Sequence, residues 1–195
     1  MNNPSFPQLN HTLNSVYKLP TTESEKFCSI WQPHEAKRKE ILTTAGEREK
    51  YLYFVNEGVQ RVFYNDESGR EATIVFTYAP SFGGVLDSFM SQKPSAYNYE
   101  TLTQSKFLKI TFDELNGVMK QYPAIESMIL QGITQAMSGV LERLVELQCY
   151  LSEEKFRTLL KRSPHILQLV PHKYLANYLG IDATNFSKLL NKVKL

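Results

Sequence analysis

The sequence predicts an α+β protein with a β-sandwich or roll of short strands over residues 1–122. One long helix over 123–151 follows, then a small basic unit over 152–195 that ends in a helix-turn-helix. Three observations carry this reading. Short runs of β-branched and aromatic residues recur between turn signals from Lys26 to Thr111. Leu130, Ile133, Met137, Val140, Leu144, Leu147 and Leu151 follow one another at alternating steps of three and four, the spacing that lets two helices pack side by side. Finally, Val170 to Val193 holds two short amphipathic segments joined at Gly180.

Composition narrows the function classes. The chain has 195 residues, 42% of them hydrophobic, which suits one large domain or two small ones. No apolar run approaches the roughly 20 residues of a membrane span, so no membrane partner is expected. The opening MNNPSFPQLNHTLN has neither a basic start nor an apolar core, so no signal peptide is read there and a cytoplasmic location is expected. Cys28 and Cys149 are far apart and outside any CxxC spacing, and are read as reduced, small buried residues. The four histidines are scattered, and no metal site is predicted.

The net charge of +2 hides an asymmetry. From Lys155 onward there are eight basic side chains against one acid, Asp182; the preceding residues hold fourteen basic and nineteen acidic ones. A basic end on an acidic body points to a polyanion for that end.

Taken in order, residues 1–22 are polar and proline-rich and are expected to form a short helix and a lead-in. Strands are expected at Phe27–Trp31, Lys39–Leu42, Tyr51–Val55, Gln60–Tyr64, Ala72–Tyr78, Tyr97–Leu102 and Phe107–Thr111. The breaks carry turn chemistry: Gly46, Asn56-Glu57-Gly58, Asn65 to Gly69, and Pro80 to Gly84. Gly83-Gly84 ahead of Val85-Leu86-Asp87 can present backbone N–H groups to an anion or can simply make a tight corner, and the sequence leaves both open. Phe112–Gln121 reads as a short helix, and Tyr122-Pro123 begins the long one. On that helix Gly132, Ala136 and Gly139 form a small-residue stripe beside the apolar seam, which would let another backbone approach. The alternative for the seam is a helix packed in its own domain's core.

Leu151-Ser152 reads as a hinge, with Ser152 as N-cap and Glu153 and Glu154 in the first turn of a helix ending at Arg162. In the closing stretch Pro171 suits a helix start, and Leu175 and Leu179 share a face. Ala176 is small where a second helix would cross, Gly180 permits the turn, and Ile181 plugs the gap. Asp182 caps the second helix, whose buried face would be Phe186, Leu189, Leu190 and Val193. Its other face carries Ala183, Thr184, Asn185, Ser187, Lys188 and Asn191, residue types that reach base edges from a major-groove helix. Lys173, Lys192 and Lys194 are expected on phosphates. Double-stranded DNA is therefore the expected partner; the alternatives are an ordinary αα-hairpin or a module for protein contacts.

The order of roll, long helix and closing helix-turn-helix resembles the cyclic-AMP receptor protein-type (Crp/Fnr) transcription regulators, from about Lys26 to Val193. The pieces most similar are Tyr51 to Gly58, the Phe82-Gly83-Gly84 corner, and Tyr174 to Ile181. The last two resemble the subgroup common in Bacteroidetes-type bacteria. The resemblance implies a cyclic-nucleotide-binding-type roll (a double-stranded β-helix or jelly roll), a homodimer through Leu130, Ile133, Met137, Val140, Leu144 and Leu147, and two recognition helices on a palindrome. Ala183, Thr184 and Lys188 match the base-reading positions.

The effector pocket departs from that pattern. The resemblance places it at Gly83, Gly84, Val85, Pro94, Ser95 and Val140. Cyclic-AMP-binding members carry Gly-Glu at the corner, the Glu on the ribose, and Arg-Ser further on, the Arg on the phosphate. Counted without gaps, this chain has Gly83-Gly84 and Pro94-Ser95, and Val140-Leu141 replaces a Thr-Ser pair on the long helix. Losing a charge-assisted pair typically costs several kcal/mol. Tight cyclic-AMP binding is thus not expected, no cofactor is assigned, and an unidentified small molecule, or none, remains for the roll. The alternative is a cyclic-nucleotide-responsive regulator with a divergent pocket. Two cysteines cannot hold an iron–sulfur cluster. An enzyme on a cupin-like roll would need a His and carboxylate set, and only His34 lies among the strands, so no enzymatic activity is expected. The link from Ser163 to Val170 is too short for a β-hairpin wing, which shifts the expected phosphate contacts to Lys161 and Arg162.

Overall fold

The computed structural model describes residues 5–193. Two helices, α1 (Ser5–Val16) and α2 (Thr21–Ser29), come first. Phe27–Trp31, expected as a strand, is the end of α2 and the turn after it. Pro20 precedes the helix and Glu23 sits in its first turn, and Phe27 on the helix and Trp31 just after it are both buried in the core that covers the first sheet.

Eight antiparallel strands follow: β1 (Gln32–Ala36), β2 (Ile41–Thr43), β3 (Tyr51–Glu57), β4 (Val59–Asn65), β5 (Glu71–Tyr78), β6 (Ser81–Gly83), β7 (Asn98–Thr101) and β8 (Ser105–Thr111). They form two four-stranded sheets, β1-β8-β3-β6 and β2-β7-β4-β5. A short helix, α3 (Leu86–Ser91), interrupts them after the Gly83-Gly84 corner. The unexpected strands β1 and β6 are both edge strands, where Pro33 and Gly83 cost least because one side needs no partner.

β3 explains its own sequence. Tyr53 and Val55 point into the roll with Val62, Tyr99 and Phe107, while Leu52 and Phe54 point out with Leu108 and Ile110. That outer face lies under Leu9 and Leu13 of α1, Phe27 of α2, Leu115 and Val118 of α4 (Phe112–Gln121), and Ile125 and Met128. A strand buried on both faces has no polar alternation, which is why Tyr51 to Val55 reads as an unbroken apolar run. α4 is started by a reciprocal cap: Thr111 Oγ1 accepts from Glu114 N–H at 3.3 Å, and the Glu114 carboxylate accepts from Thr111 N–H at 2.8 Å.

The long helix α5 (Pro123–Cys149) spans 27 residues, or about 40 Å. Its start is buried by Ile125 and Met128 and its far end by Arg143 and Glu146. Between and beside them Leu130, Met137, Val140, Leu144 and Leu147 are exposed, Met137 and Val140 by more than 60%. Ile133 is half-buried. Cys149, expected to be buried, is exposed at the end of this helix; Cys28 is half-buried. Among the described residues no helix is long and apolar enough to cross a membrane.

Four helices close the chain: α6 (Ser152–Arg162), α7 (Ile166–Leu169), α8 (His172–Leu179) and α9 (Ala183–Lys192). Ser152 is not the N-cap of α6; Leu151 holds that place, and Glu154 accepts from the Leu151 N–H at 2.7 Å. The Ser163–Val170 link folds as a helical turn that buries Ile166.

Phe54 is fully buried between the first sheet and its covering helices. Phe54→Ala is expected to destabilise the chain by about 3–5 kcal/mol, read from urea unfolding followed by circular dichroism. A loss below about 1 kcal/mol would mean that the two layers do not share one core.

Candidate functional site

Two places carry the polar chemistry, the Gly83-Gly84 corner and the outward faces of α8 and α9. At the corner the backbone runs from β6 into α3 with Gly84 at φ +108°. A Cβ on Gly83 would lie 2.2 Å from the Tyr99 hydroxyl, so nothing larger fits there. The Val85 N–H, which a bound anion could take, already donates to Glu49 Oε2 at 3.0 Å. The other Glu49 oxygen accepts from Tyr51 N–H at 3.3 Å, and the Glu49 N–H donates to Ser88 Oγ at 3.0 Å.

Glu49 is 1% exposed. Burial pushes its carboxyl above the usual carboxylate range, and donation from the Val85 N–H, the Thr43 hydroxyl and the N–H groups of Tyr51 and Lys50 opposes that rise. Behind it the Tyr99 hydroxyl meets Thr77 Oγ1 at 3.0 Å, the Tyr53 ring stands 5.7 Å away, and burial raises both phenols. The corner is thus filled by the chain's own carboxyl group and phenols.

The structure brings Gly83, Gly84 and Val85 together at this corner. Ser95 is buried in a nearby turn, where its hydroxyl donates to Tyr97 O at 2.7 Å and accepts from Tyr97 N–H at 2.8 Å. Pro94 is exposed, and Val140 stands on the exposed row of α5. Glu49 and Tyr99 were missed in the sequence because neither stands in a motif.

α8 and α9 meet as the spacing predicts. Gly180 closes α8 at φ +65°, Ala176 is buried at the crossing, and Asp182 accepts from Asn185 N–H at 2.8 Å to cap α9. Leu175, Leu179, Phe186, Leu189 and Val193 share a core with Phe156, Leu159 and Leu160 of α6, and Leu190 packs at its margin. The outward face of α9 leaves Ala183, Thr184, Ser187, Lys188 and Asn191 exposed.

Four expected contacts have other partners here. Asn185 is half-buried and donates through Nδ2 to Ser152 Oγ at 3.2 Å. Lys192 pairs with Glu153 at 2.7 Å across the surface, an exposed pair of the kind worth little. Lys173 is exposed with its ammonium 4.6 Å from the Tyr174 ring. Arg162, expected on phosphate, pairs with the buried Glu146 and ties α6 to α5. Lys161 is exposed, and Lys194 lies outside the described residues.

The inner face of α8 holds a cluster that the sequence did not announce. Tyr174, Asn177 and Tyr178 line one side of the helix and rest on the second sheet. The Asn177 amide donates to Glu71 O at 2.6 Å and accepts from Thr73 N–H at 2.5 Å, as a peptide group would at a sheet edge. Arg61 of β4 lies 4.0 Å from the Tyr174 ring centroid and 4.0 Å from that of Phe63. Its guanidinium donates to Glu100 at 2.8 Å and to both oxygens of Glu71 at 2.7 and 3.0 Å. Lys39 completes the cluster with Glu100 at 3.1 Å and the Tyr174 hydroxyl at 2.6 Å. The Tyr178 ring packs on Phe76 at 5.2 Å and under the Arg143 guanidinium at 4.0 Å. The available signal was an Arg inside the apolar run Val59 to Tyr64, opposite polar and aromatic residues at helical spacing in α8.

Residues 33–122 match the family model of the cyclic nucleotide-binding domain. No curated protein sequence matches the chain. Among solved structures, FixK2 from Bradyrhizobium japonicum superposes with a TM-score of 0.75 at 14% identity, over 84% of each chain. The Thermus thermophilus catabolite activator protein gives 0.57 at 16% identity, over 90% of this chain and 84% of its own. A Eubacterium rectale protein assigned to the crp/fnr family of transcriptional regulators gives 0.68 at 17% identity, over 89% and 82%. The fold is therefore that of these proteins, extending beyond the matched domain into the C-terminal helices.

Hydrogen bonds and attraction from Arg61 hold the Glu71 carboxyl below the usual carboxylate range. A lowered folded value stabilises above the ordinary glutamate range and is lost as pH falls through the folded value. Thermal unfolding between pH 6 and pH 3 should therefore show a loss that Glu71→Gln makes smaller. An identical pH profile in that variant would mean that the Arg61 pair adds nothing to acid sensitivity.

Proposed function

We propose that the chain is a DNA-binding transcription regulator of the Crp/Fnr type, working as a homodimer. The observation that carries this reading is the exposed face of α9: Ala183, Thr184, Ser187 and Lys188 stand free on a capped helix whose other face is fully packed. Thr184 and Lys188 offer donors and an acceptor to base edges, while Lys173, Lys192 and Lys161, all exposed, would supply cations for phosphates. The helix-turn-helix placement of α8 and α9 supports major-groove entry by α9.

The exposed row of α5 supports the second copy. Leu130, Met137, Val140, Leu144 and Leu147 would cost far less in a seam than in water, and their step of three and four fits a partner helix. A two-fold axis along that seam would present two recognition helices to half-sites about one helical turn apart. The domain boundaries 122/123 and 151/152 separate the roll, the seam helix and the reader. The Phe82-Gly83-Gly84 corner and the closing stretch favour the branch common in Bacteroidetes-type bacteria.

Selection from random duplex DNA by the purified protein, followed by binding titrations, tests the reading. A palindrome should be enriched, and Lys188→Ala should lower affinity about 5- to 150-fold on the selected site. Leu144→Glu should give monomers by sedimentation and lose the palindrome. Enrichment of no duplex by the native protein would overturn the assignment.

The roll is read as self-filled at its corner, because Glu49 takes the Val85 N–H. The family match of residues 33–122 favours the other reading, a nucleotide-responsive roll. Titration calorimetry with cyclic AMP separates them. No heat at millimolar ligand is expected, and micromolar binding would mean that Glu49 is displaced and the pocket opens.

A further inference from the structure

We infer that Asn177, with Tyr174, positions the recognition helix by fixing α8 to the outer face of the roll, and so sets the half-site spacing that the dimer accepts. The inference rests on the reading of the chain as a dimeric DNA reader. β5 is an edge strand, paired on one side by β4 only. Its open side carries the free Thr73 N–H and Glu71 carbonyl, and the Asn177 amide takes both. One side chain thereby fixes both the position and the roll angle of α8, because two antiparallel bonds to a planar amide leave little rotational freedom.

Tyr174 gives a second point of attachment. Its ring lies on the Arg61 guanidinium and its hydroxyl accepts from Lys39. Tyr178 gives a third, from α5: the Arg143 guanidinium donates to the Tyr178 carbonyl and covers its ring. Among the described residues α9 has no comparable hydrogen bond or ion pair to the roll. It follows α8 through the Gly180-Ile181-Asp182 turn, crosses it at Ala176 and packs with it on α6, so the direction of α9 goes with that of α8. None of these contacts covers Ala183, Thr184 or Lys188, which remain exposed while α8 is docked. The docking therefore orients the reading face and does not hide it.

Orientation matters to a dimer in a way it does not to a single reader. Two recognition helices held at a fixed separation match one half-site spacing, and one added base pair both shifts and rotates the second half-site. A helix pair freed from the roll keeps only its ties to α5, through Arg143–Tyr178 and Arg162–Glu146, and would tolerate a wider range of spacings.

The test uses the full-length dimer on its selected palindrome and on duplexes whose central spacer is lengthened or shortened by one or two base pairs. The native protein should lose about tenfold or more in affinity when the spacer changes by one base pair. Asn177→Ala and Tyr174→Phe should flatten this dependence to within about threefold, with dimerisation unchanged by sedimentation. Alanine is the better helix former at 177, so α8 itself should persist. Lys188→Ala, which touches DNA but not the roll, should lower affinity at every spacer and keep the dependence. Amide hydrogen exchange at Thr73 should speed up in Asn177→Ala if the contact exists in solution.

A spacer profile in Asn177→Ala that matches the native one would overturn the positioning role while leaving the DNA reading intact. A rise in affinity on every duplex would overturn it too, since docking would then be inhibitory. Failure of the native protein to enrich any duplex would overturn the DNA reading, and the positioning role with it.

Discussion

Arg61 is 3% exposed, and the attachment of the C-terminal helices follows from that burial. A guanidinium removed from water needs all its donors satisfied, because an unpaired buried charge costs several kcal/mol. Glu100 beside it on β7 and Glu71 on β5 supply the acceptors, and Phe63 and Tyr174 supply the two faces. Glu100 and Glu71 belong to the second sheet, but Tyr174 belongs to α8. The cation is therefore fully sheltered only when the helix pair is in place. One buried charge turns two separately plausible units, a roll and a helix pair, into one packed body.

The roll interior makes a complementary point. The fold is shared with FixK2 and a catabolite activator protein, and residues 33–122 match a domain named for cyclic nucleotides. Yet the backbone donor at the corner is spent on Glu49, and the space over Gly83 is taken by Tyr99. Side chains of the chain itself therefore occupy this corner of the roll. The outer face of the second sheet is the surface that meets the C-terminal helices.

Much of this was legible in the sequence, for identifiable reasons. The Gly180 turn, the Ala176 crossing and the Asp182 cap are local rules with local signatures, and each is found where its residues place it, while the long helix ends at Cys149 and leaves Leu151, the last residue of the expected seam, at the start of α6. Strands β3, β4, β5 and β8 were visible as apolar runs between turns. Edge strands β1 and β6 were not, since pairing from one side tolerates Pro33 and Gly83 and leaves no composition signal. The aromatic end of α2 imitated a strand because burial of Phe27 and Trp31 comes from tertiary packing. The docking cluster was invisible for a deeper reason: Arg61, Glu71, Glu100 and Asn177 are far apart in the chain, and nothing in one sequence pairs them.

The edge of β5 has a last implication, for solubility. An open strand edge with exposed Ile74 and Val75 is a template onto which another chain's strand can add, the first step toward β-aggregates. The Asn177 amide occupies two of the groups that such an intruder would need. A chain whose C-terminal helices are truncated, late to fold or clipped by protease presents that edge bare. The helix pair thus also covers part of a strand edge that would otherwise be open to another chain.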